Sequence, residues 1–129
     1  MRYDKLFSSL KAKNEGAFIP FAVLGDPGKT ASLEALEALI EGGADALELG
    51  FPFSDPLADG PAIQAADIRA LAAGTRADDC FEIIAEIRRR HDALPIGLLV
   101  YANLICRRGA EKFFRDALAA GADALLIAD

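Results

Sequence analysis

The feature that most constrains the fold of this chain is the regular alternation of short apolar runs with helical segments. The apolar runs are residues 17–25, 46–50, 96–101 and 122–129, and glycine, proline or aspartate flanks most of them. Short continuous apolar runs of this kind are typical of strands that are buried on both faces of a parallel sheet. The alternation therefore predicts an α/β protein with a parallel sheet and helical crossovers.

The segments between the runs carry apolar residues at helical spacing. The predicted helices are a leading helix at about residues 3–13, a helix that ends at Gly42-Gly43, and helices over residues 61–74, 77–91 and 107–121. The second of these helices begins at Thr30 or Ser32, either of which is a suitable N-cap. Pro61 is well placed in the first turn of the third helix.

An internal repeat supports this order of elements. The sequence GADALEL occupies residues 43–49, and GADALLI occupies residues 121–127. In both copies a helix ends in glycine and the chain turns through Ala-Asp into a strand. Such repeats recur around a (β/α)8 barrel, although a doubly wound, flavodoxin-like sheet can contain them too. Asp45 and Asp123 precede their strands, opposite the end where such folds place active sites, and are interpreted as turn residues.

Glu48 departs from the strand pattern. The matching position in the second repeat is Leu126, and the neighbours Leu47 and Leu49 are apolar. An ionised carboxylate is costly to bury unless it is paired, so buried carboxyl groups often hold a proton and suit general acid–base chemistry. The position near the carboxyl end of a parallel strand favours catalysis. The alternative is a glutamate that is satisfied by a buried hydroxyl or amide.

Asp59 lies in the stretch PLADGP that follows. Pro56 and Pro61 restrict the backbone, and Gly60 permits a turn that a side chain would hinder. A rigid loop at the carboxyl end of the strand can hold a second carboxylate opposite Glu48. The alternative is that Asp59 caps the helix that begins at Gly60-Pro61.

Composition excludes several classes of protein. The 129 residues suit one domain, and 53% of them are hydrophobic, so the chain has enough apolar residues for a core. A net charge of −6 without a basic face argues against nucleic-acid binding. Cys80 and Cys106 form no CxxC pair and there is one histidine, so we expect free buried thiols and no metal site. The charged N-terminus and the absence of a membrane-length apolar run indicate a cytoplasmic protein.

Four stretches together resemble a known family, the α subunit of bacterial tryptophan synthase. They are FIPFAVLGDPG, GADALELGFPFSDPLADGPAIQ, IGLLVYANL and ADALLIAD, and the similarity extends over the whole chain in order. The resemblance implies a (β/α)8 barrel that cleaves indole-3-glycerol phosphate to indole and glyceraldehyde 3-phosphate by a retro-aldol reaction in tryptophan biosynthesis. It implies no cofactor in this chain, because pyridoxal phosphate belongs to the partner β subunit of an α2β2 assembly.

The resemblance also implies roles for individual residues. Glu48 matches the catalytic glutamate that delivers a proton to indole C3, and Asp59 matches the aspartate that accepts a hydrogen bond from the indole N–H. Pro52 and Asp55 match the loop that meets the β subunit. The positions that match the indole pocket are Phe21, Leu99, Tyr101, Leu126 and Ala128.

The family chain is about twice as long, since a (β/α)8 barrel takes about 250 residues. Residues 1–129 are therefore expected to be the amino-terminal half of a single barrel domain, with strands 1–4 but without the mobile loop after strand six and the phosphate site after strands seven and eight. We expect negligible lyase activity from these residues alone. The alternative function is a non-catalytic half-barrel scaffold that self-associates or docks on the β subunit.

Overall fold

The computed structural model describes all 129 residues and contains six helices and four strands. In chain order these are α1 (Arg2–Lys13), β1 (Phe21–Val23), α2 (Lys29–Glu41), β2 (Leu47–Gly50), α3 (Pro61–Ala72), α4 (Ala77–Arg90), β3 (Ile96–Val100), α5 (Ala102–Arg108), α6 (Ala110–Ala120) and β4 (Ala124–Ile127). The strands form one parallel sheet in the order β1-β2-β3-β4. This order confirms the predicted parallel α/β arrangement and excludes the flavodoxin-like alternative, in which strand 1 lies between strands 2 and 3.

The first strand is shorter than predicted. Strand β1 covers only Phe21–Val23, and Phe18 in the preceding segment is 50% exposed. Pro20 has no N–H to donate to a neighbouring strand, although its carbonyl accepts a hydrogen bond from the Glu48 N–H at 3.0 Å. The apolar run therefore enters the sheet only after the proline.

The helices differ from the prediction at two places. Helix α2 begins at Lys29, so Ser32 lies inside it rather than at its N-cap, and the buried Ser32 hydroxyl accepts a hydrogen bond from the Gly25 N–H. The predicted helix 107–121 corresponds to α6 and the last two residues of α5, a helix that the sequence did not predict, and the two helices meet at Gly109 with φ of 88°. None of the six helices is long and apolar enough to cross a membrane.

The main core lies between one face of the sheet and helices α2, α4 and α6. Side chains from β2 and β3 pack there with the apolar stripes of these helices, and the fully buried strand residues are Leu47, Leu49, Ile96, Leu98 and Val100. Phe51, Phe81 and Phe113 form an aromatic cluster with ring centroids 5.2 to 5.5 Å apart. Because side chains alternate along a strand, the residues between these core positions face the other side of the sheet, called the inner face below.

The repeated aspartates perform the same structural task. The Asp45 carboxylate accepts a hydrogen bond from the Phe18 N–H, while its own N–H donates to the Phe18 carbonyl, both at 2.8 Å. Asp123 makes the same reciprocal pair with Ile96, at 2.9 and 2.8 Å. Asp45 thereby fixes the start of β2 to the segment that precedes β1, and Asp123 fixes the start of β4 to the first residue of β3. The interpretation of both as turn residues is confirmed.

An arginine completes this amino-terminal end of the sheet. The Arg88 guanidinium at the end of α4 pairs with Asp123 at 2.7 Å, and both side chains are nearly buried, with 12% and 10% exposed. It also donates to the carbonyls of His91, Leu94 and Gly121. Several backbone carbonyls around the start of β4 therefore depend on one side chain.

Candidate active site

Glu48 lies in the middle of the inner face. It pairs with Phe21 of β1 and Gly97 of β3, and its sequence neighbours Leu47 and Leu49 point into the helix-covered core. Alternation along β2 therefore directs the Glu48 side chain away from that core. The residue is partly buried, as expected for a side chain on a face that the helices do not cover.

The Glu48 carboxylate has neither a hydrogen-bond donor nor a cation as partner in this chain. It lies over Gly97, where a Cβ atom would be 3.3 Å from the Glu48 Oε1 and 2.9 Å from the Tyr3 hydroxyl oxygen. Burial, followed by the negative charges of Glu48 and Asp123, raises the pKa of Tyr3. The structure thus supplies no hydroxyl or amide bond that would make Glu48 a purely structural residue. It also adds Tyr3, which the sequence did not single out, as a neighbour on the side of α1.

Asp59 is not a helix cap. The N-cap of α3 is Gly60, which has no side-chain cap, and Pro61 is the first helical residue, as predicted. The Asp59 backbone is held instead, because its N–H donates to the Pro56 carbonyl at 3.1 Å and its carbonyl accepts from the Gln64 amide at 2.7 Å. The partly buried carboxylate is therefore not used to cap the helix.

Tyr101 connects this loop to the end of β3. It is 3% exposed, its hydroxyl oxygen accepts a hydrogen bond from the Ala58 N–H at 2.9 Å, and its ring stacks on Phe53 with centroids 4.9 Å apart. Burial raises the pKa of Tyr101, the Ala58 N–H opposes this rise, and the Asp59 carboxylate, which the hydroxyl faces, adds to it. The tyrosine therefore remains neutral and fixes the loop next to Asp59.

Asp67, in the second turn of α3, is a buried acidic residue near Asp59 that the sequence analysis did not single out. It is 2% exposed, and its Oδ2 atom is the one buried side-chain polar atom without a hydrogen-bond partner in the chain. Burial raises the pKa of Asp67 to about 6, with further contributions from the negative charges of Asp59 and Asp26, while the Phe53 N–H favours the ionised form. In the helical pattern of α3, Asp67 occupies what looks like an ordinary polar position. Its burial becomes visible only when the position of the loop between β2 and α3 is known.

The remaining predicted pocket residues follow the inner face toward its carboxyl end. Leu99 pairs with Leu126 across β3 and β4, and both alternate with core residues in the same sense as Glu48. Phe21 leans over β2, because a Cβ atom at Gly50 would lie 2.6 Å from the tip of its ring. Ala128 follows β4, where its N–H donates to the Val100 carbonyl. Leu126 is 55% exposed, so these residues form an open apolar surface rather than an enclosed cavity.

The two residues of the predicted partner loop differ in accessibility. Asp55 is exposed and its carboxylate accepts a hydrogen bond from the Ser54 hydroxyl at 2.6 Å, whereas Pro52 is buried. Asp55 is therefore available to a partner on the surface of this chain, and Pro52 shapes the loop from inside.

Other reactive side chains lie away from this site. His91 follows the last residue of α4, and its Nε2 atom is 2.7 Å from the Glu37 carboxylate, so the histidine has a structural partner on α2. Cys80 is buried as predicted, and burial raises the pKa of its thiol, but the prediction is wrong for Cys106, which is exposed on the short helix α5. A cavity of about 1280 Å³ opens between α1 and the amino-terminal end of the sheet, and Glu48 and Asp59 do not line it.

The parallel strands lie in sequential order, with helices over one face and carboxylates on the inner face and the following loop. This arrangement corresponds to the first four strands of a (β/α)8 barrel with the three helical connections between them. The family model of the tryptophan synthase alpha chain matches residues 7–129, and the chain belongs to this family.

Known proteins support this assignment. The tryptophan synthase alpha chain of Shewanella amazonensis is 62% identical over 128 residues, which cover 99% of this chain and 48% of that protein. The crystal structure of the alpha subunit from Legionella pneumophila superposes with a TM-score of 0.94 at 38% identity, over 99% of this chain and 49% of that one. A structure of the tryptophan synthase α2β2 complex from Pyrococcus furiosus matches with a TM-score of 0.82 at 45% identity, over 88% and 47% of the two chains. The chain therefore spans about half the length of the relatives it matches.

Proposed function

We propose that residues 1–129 form the amino-terminal half of a single (β/α)8-barrel domain that cleaves indole-3-glycerol phosphate to indole and glyceraldehyde 3-phosphate. The observation that carries the proposal is the unpaired carboxylate of Glu48 on the inner face, with Asp59 on the loop that follows the same strand. Membership of the tryptophan synthase alpha chain family supports the choice of substrate and the class of lyase.

In this reaction the bond between indole C3 and the glycerol side chain breaks. Protonated Glu48 gives its proton to C3, which leaves positive charge on the ring nitrogen. The carboxylate then accepts the proton of the adjacent glycerol hydroxyl, the C–C bond electrons return to the ring, and the hydroxyl carbon becomes the aldehyde of glyceraldehyde 3-phosphate. Proton donation and removal by one side chain balance, so the chemistry needs no cofactor from this chain.

Asp59 would act on the ring nitrogen. A carboxylate that accepts a hydrogen bond from the indole N–H stabilises the positive charge that forms there, and such fixed charges contribute most in a site that excludes water. Tyr101 and Gln64 fix the loop by hydrogen bonds. This supports the role of Asp59, because the carboxylate must be in place before positive charge develops on the ring nitrogen. The aliphatic side chains of Leu99 and Leu126, with Phe21, Tyr101 and Ala128, would contact the indole ring.

We also propose that the loop carrying Pro52 and Asp55 meets a β subunit. The relative from Pyrococcus furiosus is part of an α2β2 complex, and Asp55 is exposed at the carboxyl end of the sheet, on the same loop as Asp59. A partner at this loop would lie beside the site where indole forms. Pyridoxal phosphate would belong to that partner.

The proposal is tested by indole release. A complete α chain that carries these residues as its first 129 should release indole from indole-3-glycerol phosphate, and a polypeptide of these 129 residues alone should turn over at less than about a tenth of that rate, because the phosphate anchor and the closing loop are absent. A complete chain that binds the β subunit but releases no indole would contradict the lyase and favour the scaffold alternative.

The loop contacts lead to a further prediction. Tyr101→Phe keeps the stacking on Phe53 but leaves the Ala58 N–H without its acceptor, so kcat of the complete chain should fall by about fivefold, in line with about 1 kcal/mol for one lost hydrogen bond. Steady-state assays and urea unfolding measure the two effects. Tyr101→Leu, which also removes the ring, should be more harmful, and equal activity of Tyr101→Phe and the parent chain would remove the hydroxyl from this role.

A further inference from the structure

The position of Asp67 is unusual for a charged residue. It lies on α3 beneath the loop between β2 and α3, it is 2% exposed, and its Oδ2 has no hydrogen-bond partner. A buried polar atom without a partner destabilises the fold, so its presence suggests that the group serves a function. Serine or asparagine at this position would bring no charge to bury.

The groups that face Asp67 come from three connections of the sheet. The Phe53 N–H and the Asp59 carboxylate belong to the loop after β2, Asp26 belongs to the loop after β1, and Tyr101 follows β3. Asp26 is neutralised by Arg69 in a two-bond ion pair at 2.7 and 2.8 Å. Asp59 is therefore the nearby carboxylate that no cation of this chain pairs with.

We propose that Asp67 is a positioning residue for Asp59: the buried Asp67 carboxylate attracts the Phe53 N–H of the loop and adds negative charge beside the Asp59 carboxylate, which faces the indole nitrogen. This inference rests on the proposed lyase function. It extends that function because it assigns to a helix residue behind the loop a part of the electrostatic stabilisation of the ring cation.

A continuous set of contacts joins the two aspartates. The Phe53 N–H faces Asp67, the Phe53 ring stacks on Tyr101, and the Tyr101 hydroxyl accepts the Ala58 N–H next to Asp59. When Asp67 is ionised, it attracts the Phe53 N–H more strongly and makes the potential at Asp59 more negative. When it is protonated, both effects weaken.

The ionisation of Asp67 gives the inference a characteristic pH dependence. Because burial raises its pKa to about 6, the residue changes charge within the pH range in which the enzyme would be assayed. The folded state binds this proton more tightly than the unfolded chain, so the group favours folding below its ordinary pKa and this contribution is lost as pH rises through about 6. Ionisation of Asp67 as pH rises should therefore increase the activity and decrease the stability of the fold.

The experiment is Asp67→Asn in a complete α chain that carries these residues. At pH of about 8 the variant should unfold at a higher temperature than the parent chain, while kcat falls by about tenfold and the decline of activity near pH 6 disappears. Asp67→Ser provides a second neutral side chain that serves the same comparison. Asp26→Asn is the control, since it removes one of the charges that raise the pKa of Asp67 but leaves Asp67 itself in place, so the decline of activity should remain and move to lower pH.

A purely structural role predicts the reverse result. A variant that is less stable, with unchanged kcat and an unchanged pH profile, would overturn the inference. A second readout is independent of catalysis: the amide shifts of Phe53 and Ala58 should titrate near pH 6 in the parent chain and not in Asp67→Asn, and their absence in the parent would also overturn it. A parent chain that shows this titration but no lyase activity would contradict the proposed function alone and support the control of the loop by Asp67.

Discussion

Glu48→Gln in a complete α chain should lower kcat for indole formation by about 100-fold or more, the usual range for the loss of a general acid–base group. Glutamine has nearly the same shape as glutamate and fits over Gly97, but it can neither give a proton to indole C3 nor accept one from the glycerol hydroxyl. The effect should fall on kcat more than on KM, because the proton transfers occur in the chemical step. Indole release under saturating substrate measures it.

The matched control is Glu34→Gln. Glu34 is exposed on α2, on the outer side of the sheet, and makes no ion pair in this chain, so its neutralisation should leave kcat within about twofold, as for most surface substitutions. Near-normal turnover by Glu48→Gln would exclude the proposed role of Glu48 as proton donor. The thermal stability of the variant would then show whether the carboxylate matters to the fold instead.

Arg88→Met should reduce the free energy of unfolding by about 3 kcal/mol, the low end of the range for a broken buried ion pair. The substitution leaves the Asp123 carboxylate, which is only 10% exposed, without its cation, and it removes the donors for the carbonyls of Leu94 and Gly121. Methionine fills much of the volume of the arginine stem, so the loss reports on the charge and the hydrogen bonds. Urea unfolding of the complete chain provides the measurement.

Arg89→Met, one residue further along the same helix, is the control for this prediction. The Arg89 side chain is 69% exposed and pairs with Glu86 on the surface, so the loss of stability should be below about 1 kcal/mol. Equal effects of the two substitutions would show that Asp123 and its neighbouring carbonyls do not depend on Arg88.

The pattern of the sequence predicted those features that depend on local spacing. The strands β2, β3 and β4 and the helices α1, α3 and α4 lie where periodicity and turn residues placed them, because each has a clear period and a marked end. Glu48 stood out because the repeat contains leucine at the same position. The two aspartates of the repeat were read correctly, although the identity of their partners, Phe18 and Ile96, could not be read from spacing.

The errors have physical reasons as well. Helix α5 was missed because residues 96–106 form an almost continuous apolar stretch in which the end of a strand and the start of a helix look alike. The start of β1 was placed too early because hydrophobicity does not reveal that Pro20 cannot donate to the sheet. The sequence did not decide whether Asp59 is a helix cap or a catalytic carboxylate, because an acidic residue just before this helix fits both roles.

By itself the sequence determined the parallel α/β class and the family, and it singled out Glu48 and Asp59 as candidate site residues, since these follow from the period of apolar residues and from a motif that is continuous along the chain. Only the tertiary structure decided that Glu48 lacks a partner, that Tyr101 holds the loop of Asp59, and that Asp67 is buried beneath that loop. These facts depend on which groups meet across the sheet. These tertiary contacts set the solvent exposure and the nearby charge of each carboxylate. Local sequence patterns do not reveal the contacts, because they join residues that are distant along the chain.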